Sequence, residues 1–265
     1  MNTKIFRNGE ELGKAASRCA ARLIRSHIRS SGEANIVVAT GTSQIETLAH
    51  LVSEKNIDWA KVRMFHLDEY IGLPSDHPAS FRRYLVERFI KPVANFQEVH
   101  LIRGDAPDPE KECERIGELI SQHTIDVALI GIGENGHIAF NDPPADFSTE
   151  LPFIVVNLDE KCRLQQVGEG WFEDIGEVPV QAISMSVKRI MGSRSIIASV
   201  PEKRKASAVM AAVEGPVTRE CPASVLQLHP RCTLFLDRDS ASDLAEEENA
   251  HSGICRSADK RQLRG

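Results

Sequence analysis

Long apolar runs are missing from this sequence. Charge or glycine breaks each within about ten residues, short of the ~20 that a membrane-spanning helix needs. The first residues, Met1 to Gly9, lack the apolar stretch of a signal peptide, so the expectation is a cytoplasmic protein with no membrane partner. Cysteine is present but unpatterned. Cys19, Cys113, Cys162, Cys221, Cys232 and Cys255 show no paired metal-ligand spacing, which favours free thiols over a disulfide framework. A positive excess is also absent: 32 Lys and Arg stand against 38 Asp and Glu, a net charge of −6 that argues against nucleic acid as the main partner. The turn Ala39–Gln44 is neither a Walker loop nor a dinucleotide fingerprint, since both glycine patterns are missing from it.

What the chain has is alternation. Helical patterns over 9–30, from Ser43, near Pro78–Ile90, over 108–123 and over Glu202–Val213 alternate with apolar strand-like runs. Those runs lie at Asn35–Thr40, Val62–Leu67, 125–131, Ser195–Val200 and Cys232–Asp237, the last followed by an expected acidic helix. The stripes Ile45, Leu48, Ala49, Val52 and Ala206, Val209, Met210, Val213 recur at helical spacing. Strands alternating with helices predict parallel pairing through right-handed crossovers. The fold class expected is therefore α/β, a three-layer α/β/α sandwich with a mostly parallel, doubly wound sheet. The 265 residues suffice for one such domain over 1–245. Punctuation by Pro143, Pro144, Pro152, Gly168 and Gly170 suggests a mobile lid at 143–175, and 246–265 read as a polar tail.

Chemistry gathers where expected strands end. Ala39-Thr-Gly-Thr-Ser-Gln44 is a strand-to-helix turn whose free N–H groups and hydroxyls suit a phosphate, although Ser43 as a simple helix cap explains it equally well. In Phe65-His-Leu-Asp-Glu-Tyr70 a persisting strand puts His66 and Asp68 on one face; the readings are a general base, a solvated strand end, or less simply a metal site. Gly131-Ile-Gly-Glu-Asn-Gly-His-Ile-Ala-Phe-Asn-Asp142 follows a buried strand and crowds three glycines, a histidine, a carboxylate and amides together. There His137 and Asp142 can orient one another and Asn135 can fix the imidazole tautomer. Glu202-Lys-Arg-Lys205 places cations at a helix start, where the dipole disfavours them unless an anion binds there too, although exposed lysines as surface decoration explain the run equally well.

Taken together these motifs resemble the glucosamine-6-phosphate deaminase/isomerase family, within a wider group that includes the 6-phosphogluconolactonases. The resemblance runs from about Asn35 to Asp237. It rests on Thr40-Gly-Thr-Ser, Leu67-Asp-Glu-Tyr-Ile-Gly-Leu-Pro with Asp76-His-Pro-Ala-Ser, Gly131–Asp142, and Ala211-Ala-Val-Glu-Gly215 with Leu226-Gln-Leu-His-Pro230. The lactonases usually carry an arginine where this chain has Tyr70 and lack the Phe-Asn-acid ending at 140–142.

The resemblance implies a cofactor-free, metal-independent enzyme of amino sugar metabolism, converting glucosamine 6-phosphate and water to fructose 6-phosphate and ammonia. By position, Asp68 would take the C2 proton and His137 would open the ring, held by Asn135 and Asp142. Thr40, Gly41, Thr42, Ser43 and Lys205 would hold the phosphate, with Arg163 as an assisting arginine. Three departures stand out: Asn135 where some members have aspartate, Asp142 where glutamate is usual, and Thr42 where a second glycine is common. The partner implied is a small sugar phosphate, and a homo-oligomer is compatible with the family. A lactonase-type sugar-phosphate hydrolase and a non-catalytic sugar-phosphate sensor are the alternative functions.

Overall fold

Central strands of this chain are buried at every position because helices cover both of their faces. A computed structural model describes residues 1–245; the expected polar tail, 246–265, lies outside the described residues. In chain order the elements are β1 (Asn2–Phe6), α1 (Gly9–Ser31), β2 (Ala34–Val38), α2 (Ile45–Val52), β3 (Val62–His66), β4 (Asp68–Tyr70) and α3 (Phe81–Leu85). There follow α4 (Lys91–Val93), β5 (Glu98–His100), α5 (Pro109–Ser121), β6 (Val127–Ile130), β7 (Phe153–Asn157), α6 (Glu160–Gly168), β8 (Gln181–Met185), α7 (Val187–Met191), β9 (Ile196–Val200), α8 (Ala206–Glu214) and β10 (Cys232–Asp237).

Seven strands form one sheet in the order β1-β10-β9-β6-β2-β3-β5, parallel throughout. Alternation along each strand divides its side chains between two cores. Ile36, Val38, Met64 and Leu129 face α1 and α2, whereas Val37, Phe65, Ala128 and Ile130 face α5 and α8. Helix α1 shows why the segment is helical. Leu12, Ala16, Ala20 and Ile24 recur every four residues and are buried; Asn8 accepts the Glu11 N–H at 2.9 Å, and Gly32 (φ 87°) ends it in the left-handed region. Burying a side chain such as Ile24 contributes roughly 1.5–3 kcal/mol. This is the expected three-layer α/β/α architecture.

Three details depart from the sequence patterns. Met210 is 39% exposed, because α8 buries Ala206, Ala208, Val209 and Ala212 instead. No helix follows Asp237 among the described residues; its carboxylate accepts the Ser240 N–H at 2.8 Å and turns the chain. The expected strand at Val62–Leu67 does not run on to Asp68. Leu67 donates its N–H to Val38 of the large sheet while its carbonyl accepts from Met185 of a second, antiparallel sheet, ordered β4-β8-β7. His66 and Asp68 thus belong to different sheets.

Strand order fixes where a ligand can sit. From β2 the chain moves outward to β3 and β5, then returns to the other side of β2 as β6, continuing to β9 and β10. The switch lies between β2 and β6, and crevices outside the carboxyl ends of strands at such a point are the binding sites of open α/β sheets.

Candidate active site

Two glycine-bearing turns leave the sheet at that switch. After β2, Gly41 adopts φ 88°, and its carbonyl accepts the Tyr84 hydroxyl at 3.2 Å. Gln44, fully buried, donates from Nε2 to the carbonyls of Ile130 (3.1 Å) and Ser199 (3.4 Å), stapling the turn to the ends of β6 and β9. The Thr40 hydroxyl is buried and has no partner among the described residues. After β6, a Cβ on Gly131 would lie 2.9 Å from Ser43 Oγ, and one on Gly133 only 2.2 Å from the His137 imidazole. Glycine is needed at 133 for the ring to fold back over its own loop. Gly133→Ala is therefore expected to lower kcat/KM by about two orders of magnitude or more by displacing the imidazole. Steady-state rates and the melting temperature check this; unchanged activity would show that the ring position is immaterial.

Thr40, Gly41, Thr42, Ser43, Asp68, Gly133, His137 and Lys205 line one cavity of about 70 Å³, closed over by Gln165, Gln166 and Glu169 of α6 and the residue after it. His137 Nδ1 lies 3.0 Å from Asp142 Oδ1. Burial pushes the Asp142 carboxyl up, but His137, Asn135 and the Asp159 N–H outweigh it and hold the group below the usual aspartate value, so it stays ionised beside the ring. Asn135 does not touch the imidazole, contrary to the expectation that it fixes the tautomer. Its Oδ1 accepts the His137 backbone N–H at 3.1 Å, and its Nδ2 donates to Asp142 and Asp159, each at 3.0 Å. Asparagine holds the loop and Asp142; Asp142 holds the ring.

Cys162 of α6 brings its sulfur within 4.8 Å of the ligand atoms of His137 and Asp142. Burial first, then Asp142 and Asp159, push this thiol well above its ordinary value. A thiol kept protonated is a poor metal ligand and at most a weak hydrogen-bond donor.

Asp68 lines the same cavity. Burial, and then the charge of Glu69, push its carboxyl up to about 8. No protein donor reaches the Asp68 carboxylate among the described residues, so its lone pairs are free for a ligand. Glu69 is spent differently: it accepts from Tyr70 N, Ser80 Oγ, Phe81 N and Arg82 N at 2.7 to 3.1 Å and pins the start of α3. His66 is fully buried, and burial, followed by the Arg82 charge, lowers it to about 3; it does not reach the cavity, which removes it from any metal site with Asp68.

These features meet a family already described. The model of the glucosamine-6-phosphate isomerases/6-phosphogluconolactonase family matches residues 7–235, most of the chain. The chain belongs to that family. A glucosamine-6-phosphate deaminase of Listeria monocytogenes is 39% identical over 229 residues, covering 86% of this chain and 95% of that protein. One of Streptococcus pneumoniae is 37% identical over 215 residues, covering 80% and 88%. A solved monomeric glucosamine-6-phosphate deaminase is 33% identical, with a TM-score of 0.83 over 92% of this chain and 100% of that one. The 6-phosphogluconolactonase of Trypanosoma brucei shares the fold at 19% identity, with a TM-score of 0.77 over 92% and 98%.

Within this deaminase/lactonase family member, one expected residue is misplaced. Arg163 does not face the cavity: its guanidinium donates to the carbonyls of Ile175 and, at 3.0 Å, Val178. Cys162, Gln165, Gln166 and Glu169 share the cavity side at helical spacing, and one step of about 100° turns Arg163 away from them. The arginine at the turn is Arg204, whose Nη2 donates to Thr42 Oγ1 at 3.0 Å. Of the cationic run, the sequence pattern points to Lys205 alone, and the assisting arginine expected at Arg163 is Arg204 in that same run. The staple Gln44 and Glu169, the residue after α6, carry no sequence signal of their own; only the adjacency of Gln44 to the turn could flag it.

Proposed function

We propose that this chain converts glucosamine 6-phosphate and water to fructose 6-phosphate and ammonia. The observation that carries the reading is the meeting of Asp68 and His137, 69 positions apart in the numbering, on one cavity beside the Thr40–Ser43 turn and Lys205. The deaminases that cover most of the chain at 33–39% identity support the same substrate. The lactonase alternative has the shared fold behind it and no comparable sequence identity.

In this reading the sugar 6-phosphate settles its anionic end on the N–H groups and hydroxyls of Thr40, Gly41, Thr42 and Ser43, with the Lys205 ammonium opposite. His137, kept in orientation by Asp142, moves the C1 hydroxyl proton to the ring oxygen; the C1–O5 bond breaks and an aldehyde forms. Asp68, as carboxylate, takes the C2 proton, the C1 carbonyl oxygen gains one, and an enolamine results. Return of a proton to C1 gives the C2 imine. Water adds at C2, and the amino group leaves with a proton as ammonia. The coarser conclusions follow: the substrate is a small sugar phosphate, and among the described residues no helix is long and apolar enough to cross a membrane. A cytoplasmic location accords with that chemistry.

The deciding experiment is ammonia release from a panel of hexosamine 6-phosphates. Release matched by ketose 6-phosphate supports the reading; hydrolysis of 6-phosphogluconolactone without ammonia from any amino sugar overturns it. Lys205→Met is expected to raise KM for the phosphorylated sugar about 10- to 100-fold, the worth of a hydrogen bond to a charged group. Initial rates against substrate concentration check it, an unaltered KM removing Lys205 from the phosphate site.

A further inference from the structure

The turn proposed to cradle the phosphate has a carboxylate against it. Glu169, its side chain only 4% exposed, places Oε1 3.0 Å from Arg204 Nη1 and 3.8 Å from Lys205 Nζ. Its Oε2 accepts the Trp171 indole N–H at 3.2 Å and lies 3.9 Å from where a Cβ on Gly41 would be. The carboxylate therefore sits against the glycine turn and between the two cations, where the substrate phosphate would be held. Burial pushes Glu169 up, but Lys205 and then Arg204 outweigh burial and hold it below the usual glutamate value, so it is ionised there.

Two physical consequences conflict with a phosphate simply docking beside it. A dianion next to an ionised carboxylate in a water-poor crevice is repelled by several kcal/mol at an effective dielectric of ~20. The cavity is about 70 Å³, whereas pockets that hold ligands of drug size measure roughly 300–1,000 Å³. Charge balance therefore favours the departure of Glu169 as a phosphate enters. Its surroundings permit that: Gly168 and Gly170 flank it, the latter at φ 78°, and neither has an atom within 4 Å of where its Cβ would stand. Arg204 remains anchored without it, through Glu202 and Glu134. Lys205 has Glu169 as its one carboxylate partner among the described residues, so it is the cation left in need of a new anion.

We propose that Glu169 is a specificity-determining counter-ion, occupying the phosphate cradle until a phosphate monoester displaces it. Every ligand must meet the same cost of freeing Lys205. A dianionic monoester that engages the whole Thr40–Ser43 turn meets it; a neutral sugar or a monoanionic ester does not. The inference builds on the sugar-phosphate reading but concerns the anion alone, so its test needs no turnover.

The probes are methyl phosphate and methyl sulfate, titrated calorimetrically at pH 8, where the first is a dianion and the second a monoanion. The full-length protein is expected to bind methyl phosphate and give no heat with methyl sulfate. Glu169→Gln keeps the shape and removes the charge; it should tighten methyl phosphate about tenfold and bring methyl sulfate into the measurable range. Trp171→Phe, which deletes the indole donor to Glu169, should move both in the same direction by a smaller factor, and serves if the first variant misfolds. Exposed Glu160→Gln changes net charge equally without touching the cradle and should change neither. Weaker or unchanged methyl phosphate binding in Glu169→Gln overturns the proposal, as does equal tightening by Glu160→Gln. Absence of ammonia release with tightening intact would instead remove the deaminase reading and leave the counter-ion standing.

Discussion

Asp68→Asn is expected to abolish exchange of the substrate's C2 hydrogen with solvent and to lower kcat by about 10²–10⁴-fold, the range that general-base groups contribute. Phosphate-dependent binding should persist, because Asp68 is not among the groups that would hold the phosphate, the Thr40–Ser43 turn and Lys205. Proton NMR in deuterium oxide reads the exchange directly, and retained exchange would take Asp68 out of the mechanism. The base works only as a carboxylate, and burial with Glu69 beside it pushes Asp68 up to about 8. For the free protein, kcat/KM should thus climb about tenfold per pH unit on the acid side and level off near pH 8.

The same group makes a stability prediction of definite sign. An unfolded aspartate titrates near ~3.9, whereas folded Asp68 titrates at about 8. Between those values the folded chain binds the extra proton, so the Asp68 contribution is full at low pH and is lost as pH rises through 8. The slope is at most ~1.4 kcal/mol per pH unit. Asparagine carries no such titration. Asp68→Asn should melt close to the parent at pH 4 and several degrees above it at pH 8, at roughly 2–4 °C per kcal/mol for a chain of this size. A base held in a site that disfavours its charge is an instance of function opposing stability.

Much of this was legible in the sequence, for identifiable reasons. Strands β2, β3, β6, β9 and β10 are short apolar runs between helices, and buried parallel strands advertise themselves that way. The turn residues Thr40–Ser43 and the His137 loop carry their own glycine pattern. What escaped depends on neighbours distant in sequence. Strand β4 has three residues and no alternation to read; only its pairing with β8 makes it a strand. The edge strand β1 is half exposed and is defined by β10. The choice between Arg163 and Arg204 turns on one step around α6, which no composition reveals. Glu169 looks like a solvated loop residue until Lys205, from the other side of the sheet switch, comes within 3.8 Å.

His137→Asn gives the second large effect and separates two proton transfers that a rate alone merges. If His137 opens the ring, this variant should lose the enzyme's acceleration of anomer interconversion, because that requires breaking the C1–O5 bond. Asp68→Asn should retain the acceleration, since it leaves C1 and the ring oxygen untouched. Exchange between the anomeric proton signals of the substrate measures this under conditions where neither variant turns over. The loss in kcat/KM should be about 10²–10⁴-fold, the variant being confined to the small open-chain fraction in solution. Asn135 is close to the ring in sequence but binds only its backbone N–H, at 3.1 Å, and so cannot substitute. Asp142, 3.0 Å from Nδ1, cannot reach ahead of the imidazole without the ring between them. Anomer exchange still accelerated by His137→Asn would assign ring opening elsewhere and leave the imidazole a purely structural part of the glycine loop.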